Sequence, residues 1–127
     1  MILLAILIAA WFAVLFRNEL IADAASDRIV DHPNLSDAEW NQAMDDFRRA
    51  ELLSPATEWR MIRGQYLLLR DKREAARVAA SVLRSEPDNL NAWVLSMRAT
   101  EGWAPERAAR ARDEIRRLNP PLSPVPQ

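Results

Sequence analysis

Between residues 56 and 87 the apolar positions return every three or four residues. Trp59, Ile62, Tyr66 and Leu69 make one stripe, with Glu58, Arg60 and Arg63 directed elsewhere, and Ala75, Ala76, Ala79, Val82 and Leu83 make a second. A helix turns once in about 3.6 residues, so each stripe predicts an amphipathic helix with one apolar face. The small residues of the second stripe let a neighbouring backbone approach closely, which would bury Trp59 and Tyr66 around a tight turn at Arg70-Asp71-Lys72. The stretch predicts a helical hairpin.

Weaker copies flank it. Trp93 follows Trp59 by 34 residues, and around it stand Ala92, Leu95, Met97 and Ala99, followed by Ala108, Ala111, Ile115 and Leu118. Asn119-Pro120 closes this copy as Glu86-Pro87 closes the one before, while Trp40, Ala43, Phe47 and Ala50 ahead of Leu53-Ser54-Pro55 read as the second helix of an earlier unit. The spacing Trp59-x-x-Ile62-Arg63-Gly64-x-Tyr66, followed by Ala75, Ala79, Val82 and Pro87, resembles the tetratricopeptide repeat, whose period is about 34 residues. Two places depart from that pattern: Arg63 stands at the Gly position, with Gly64 one residue late, and Ala79 stands where Phe is usual. The resemblance implies a short solenoid of about two and a half repeats with Trp59 and Trp93 in its core. It also implies a peptide groove along the first helices of the repeats, here Arg60, Gly64, Leu67, Leu68, Val94, Arg98 and Glu101.

Residues 1–16, MILLAILIAAWFAVLF, hold no charge and no turn former. At about 1.5 Å per residue they extend roughly 24 Å, so a membrane helix over residues 1–21 would draw Leu20 and Ile21 to the interface and let Arg17 snorkel. The competing reading is a secretory signal peptide cut after Ala22-Asp23-Ala24, and against it stand the lack of a positive stretch before the apolar run and the charges at Arg17, Glu19 and Asp23. A further alternative makes this run the last span of a longer membrane protein. Neither Pro nor Gly occurs before Pro33, so one helix is expected to continue from the apolar run through Ile29 and to stop at Asp31-His32-Pro33-Asn34. Ser36-x-x-Glu39 has the form of a capping box, Asp71-x-x-Glu74 and Ser54-Pro55 open later helices by related chemistry, and six helices result.

The expected class is all-α: a transmembrane helix at 1–21, a tetratricopeptide-like helical domain at 22–119 and a Pro-rich disordered tail at 120–127. Charge divides unevenly along it, with 4 Arg and 9 acids over residues 17–57 and 13 Lys plus Arg and 9 acids over 58–127. The basic half lacks the interleaved aromatics of a nucleic-acid binder, so no nucleic acid is expected as a partner. Catalysis finds no motif. His32 is the one histidine and precedes a proline, there is no cysteine, Asp45 and Asp46 are adjacent and so diverge on a helix, and Gly64 alone cannot cradle a phosphate. No cofactor and no metal are expected.

The sequence therefore suggests a non-catalytic, single-pass adaptor that offers short helical repeats to a protein partner in a membrane or envelope assembly. The alternative is a purely structural tail of a larger membrane enzyme or transporter. Ala108, Ala111, Ile115 and Leu118 form a last apolar stripe with no helix after it, which predicts a cover from a second copy of the chain, a partner's helix or the interfacial layer of the membrane. The first two are favoured because four modest apolar residues bind a bilayer weakly.

Overall fold

The computed structural model describes residues 2–31, 34–53 and 57–120. Among them the chain is all-α, with helices α1 (Ile2–Asp31), α2 (Asp37–Leu53), α3 (Glu58–Leu67), α4 (Lys72–Ser85), α5 (Leu90–Thr100) and α6 (Pro105–Leu118) and no strand. They gather into two compact units, Met1–Arg60 and Met61–Gln127. His32, Pro33, Ser54-Pro55 and the tail after Pro120 lie outside the described residues, and with them the expected helix stop, one expected cap and the expected disorder.

In the first unit, α1 runs without interruption from the apolar segment into a half that packs on α2. Its contact face is Ala22, Ala25 and Ile29, and α2 answers with Trp40, Ala43, Met44, Phe47 and Ala50, all buried. Spacings of three and four put each set on one side of its helix. Two alanines in the α1 set let the backbones come close enough for Phe47 to lose all exposure. The α2 entrance is the expected capping box: Ser36 N–H donates to Glu39 Oε2 at 2.9 Å, and Glu39 N–H donates to Ser36 Oγ at 3.3 Å. Asp46 lies 3.8 Å from Arg28 of α1 and 3.5 Å from Arg49, while Asp45 pairs with Arg48 at 2.7 Å, so each of the adjacent acids is held by arginine.

In the second unit α4 packs on α5 and α5 on α6. Side-chain caps set the start of two of these helices. Asp71 Oδ1 accepts from Glu74 N–H at 2.9 Å ahead of α4, Asn89 Oδ1 accepts from Ala92 N–H at 3.0 Å ahead of α5, and Pro105 opens α6 at a position where no amide hydrogen is needed. Asp71→Ala is accordingly expected to lower stability by about 1 kcal/mol in a denaturant titration, and Asp71→Asn by much less, because an amide oxygen can still cap. At the other end Arg117 binds Asp88 at 2.6 Å and Glu114 at 2.7 Å, tying the end of α6 to the turn before α5. Those two hydrogen bonds, first that to Asp88, raise the Arg117 guanidinium further above its ordinary range.

The face that α3 buries is not the expected one. Met61, Arg63, Gly64 and Leu67 are buried, Trp59, Ile62 and Tyr66 are half-buried, and Leu69 is 70% exposed. Two local causes account for this. Gly64 presents no side chain, so Val78 of α4 and Leu95 of α5 close on that side of the helix. Three-residue turns then follow, with Leu69 N–H donating to Tyr66 O at 3.0 Å and Arg70 N–H to Leu67 O at 3.1 Å, and they swing Leu69 off the helical stripe. Arg63, expected to point outward, instead lies 3.9 Å from Glu74 of α4.

Candidate partner groove

The side of the second unit formed by α4, α5 and α6 carries a cleft of about 550 Å³. Its floor comes from α4 and α5: Ala76 and Ala80 are one helical turn apart, Leu83 continues the line, and Trp93, Ser96 and Thr100 lie on α5 at spacings of three and four. Alanine on α4 is what leaves the cleft open, since a longer side chain at either position would fill it. Trp93 is fixed in the wall, its Nε1–H donating to Pro87 O at 2.8 Å.

The rim is arginine. Arg84 from α4 and Arg107 and Arg110 from α6 line the cleft, all three are exposed, and among the described residues no carboxylate lines it. A smaller recess of about 270 Å³ continues it past Ala76, Ala80 and Arg107 to Arg73, Arg77 and Trp103. There the Arg73 guanidinium stands 5.6 Å over the Trp103 ring, whose Nε1–H donates to Ala99 O at 2.6 Å. Arg77 of the smaller recess pairs with Glu74 at 2.7 Å, and on α6 Arg116 pairs with Asp113 at 3.4 Å and Arg117 with Asp88 and Glu114, whereas the exposed Arg98 and Arg112 form no ion pair among the described residues. Among the described residues Arg84, Arg107 and Arg110 form no ion pair. Their positive charges converge on one apolar recess.

The groove expected from the sequence fares differently residue by residue. Gly64 and Leu67 are in the core, Leu67 at 4% exposure, and so have no surface to offer a partner. Arg60, Leu68 and Val94 are half-buried, and Arg98 and Glu101 are exposed. The stripe expected to lack a cover is also partly accounted for. Ala108 and Ala111 have no exposed surface on α6, whose neighbour is α5, and Ile115 and Leu118 are half-buried. The preceding helix thus covers the two alanines, while Ile115 and Leu118 keep part of their surface open.

The cleft is not legible in the apolar period because it joins stripe residues, Ala76, Leu83 and Trp93, to residues outside the stripes. Ala80, Arg84, Arg107 and Arg110 carry no apolar period, although the spacing of Arg107 and Arg110 does put them on one face of α6. Together the helices and the cleft define an all-α domain with a basic, apolar-floored groove. No family model matches the chain, and no curated protein or solved structure matches it significantly.

Proposed function

We propose that this chain is a non-catalytic, membrane-anchored adaptor whose tetratricopeptide-like helical hairpins dock a protein partner. The observation that carries the anchor is α1. Its packed end buries Ala22, Ala25 and Ile29, while Ile6, Trp11, Phe12, Phe16 and Leu20 on the same helix are 54–66% exposed. Large apolar side chains in such number on a solvated helix would be costly, and a bilayer removes that cost. Among the described residues no helix is long and apolar enough to cross a membrane. The uncharged run at residues 2–16 is nonetheless followed by Arg17, which suits a segment that enters the hydrocarbon and ends at its interface.

The uncleaved form is favoured by packing. A cut after Ala24 would fall inside α1 and remove Ala22, which has no exposed surface. For the repeat assignment the support is the 34-residue spacing of Trp59 and Trp93, each half-buried near the start of a short helix that is followed by a longer one. The full-length chain expressed in a bacterial host is expected to stay with the membrane pellet through carbonate extraction. Recovery in the soluble fraction, with a mature terminus at Ala25, would overturn the anchor.

A further inference from the structure

We infer that the cleft over α5 is a docking site for an acidic segment of a partner protein, one that places carboxylates on Arg84, Arg107 and Arg110 and an apolar side chain on the floor between them. This deepens the adaptor reading and rests on it for the existence of a partner. Three unpaired guanidinium groups converge on one recess, while on α6 Arg116 and Arg117 are paired and the unpaired Arg112 lies outside the cleft, so the rim has charge to offer a ligand. Guanidinium groups bind carboxylates through paired N–H donors, and such bonds are among the stronger ones at a solvated surface. The floor presents the apolar surface of Ala80, Leu83 and Trp93 beside the hydroxyls of Ser96 and Thr100, and its apolar part accepts an aliphatic or aromatic side chain. The complementary ligand therefore combines acidic and apolar positions.

A bilayer surface fits this recess less well. Its charged groups form a plane, whereas the apolar part of the cleft lies between helices where a flat array of headgroups cannot follow. Nucleic acid would require a basic track extended along successive phosphates, whereas Arg84, Arg107 and Arg110 surround a single recess.

The test uses the full chain in detergent and fluorescence polarisation with a fluorescein-labelled peptide of Glu residues interspersed with Leu, beside the same peptide carrying Gln for Glu. The Glu peptide is expected to bind at least about tenfold more tightly than the Gln peptide and to weaken as salt rises. Joint Arg107→Glu and Arg110→Glu should lower its affinity by about tenfold or more, and Arg112→Glu, at an exposed α6 position outside the cleft, by little. Ala80→Trp, also at an exposed position, should block the floor while leaving the helical circular dichroism intact. Equal binding of the two peptides overturns the inference, as does an Arg112→Glu loss as large as the joint one. If the joint variant left peptide binding unchanged and reduced only binding to phosphatidylglycerol nanodiscs, the site would be a lipid site and the inference wrong. Carbonate extraction tests the anchor separately, so either reading can fail without the other.

Discussion

Phe47→Ala is expected to loosen the α1–α2 pair, at a cost of about 3–5 kcal/mol for removing a buried aromatic ring. Phe47 is the largest side chain with no exposure among the described residues, and it sits on the stripe with Ala43 and Ala50. The alanines around it on both helices leave little that could collapse into the space, so the cavity term adds to the lost transfer free energy. For a small unit such a loss is a large part of the total stability. Hydrogen exchange of the full chain in detergent gives the measurement: amides of α2 and of α1 from Ala22 onward should lose protection, and those of α4 and α5 should keep it. Arg48→Ala, which removes one exposed pair with Asp45, should leave the exchange pattern nearly unchanged. Unaltered protection in Phe47→Ala would contradict the packing described for this unit.

The period of apolar residues made Phe47 legible, because Trp40, Ala43, Phe47 and Ala50 keep one face through α2. It also made the helix count legible, along with the capping residues Ser36, Glu39 and Asp71, whose chemistry is local and does not depend on what packs above them. The burial of α3 was harder to see. Trp59 is large and apolar and sits at the expected position, yet it is half-buried, and a tryptophan there invites the reading that it anchors the core. What decides the face is a residue with no side chain. Close approach is a property of the two elements that meet, Val78 and Leu95 against Gly64, and the spacing within α3 holds no trace of them. The basic cleft was illegible for a related reason: its three arginines come from α4 and α6, and only the packing of both helices on α5 brings them together.

Gly64→Leu should strongly destabilise the second unit. A Cβ at this position would stand 2.5 Å from Leu95 Cδ2 and 3.0 Å from Val78 Cγ1, closer than carbon atoms approach without one of them moving. Leu95 is 2% exposed and Val78 3%, so neither has open space to move into. Overpacking of this kind costs about 1–3 kcal/mol and occasionally more, and a leucine, which adds three carbons beyond Cβ, belongs at the upper end. Gly64→Ala sets two effects against each other. Alanine favours the helix by about 1 kcal/mol over glycine, while its one carbon must displace the flexible end of Leu95. A small net change is the expected result. Gly102→Ala supplies the contrast, because a Cβ there meets nothing within 4 Å and the backbone carries no positive φ, so a gain of about 0.4–1 kcal/mol is expected. The decisive measurement is a double-mutant cycle by denaturant melts of the full chain. Leu95→Ala alone should cost about 2–5 kcal/mol as a cavity, but on the Gly64→Leu background the new side chain enters that cavity, so the two losses should sum to well more than the pair shows. Strict additivity would mean that α3 does not meet α5 at Gly64.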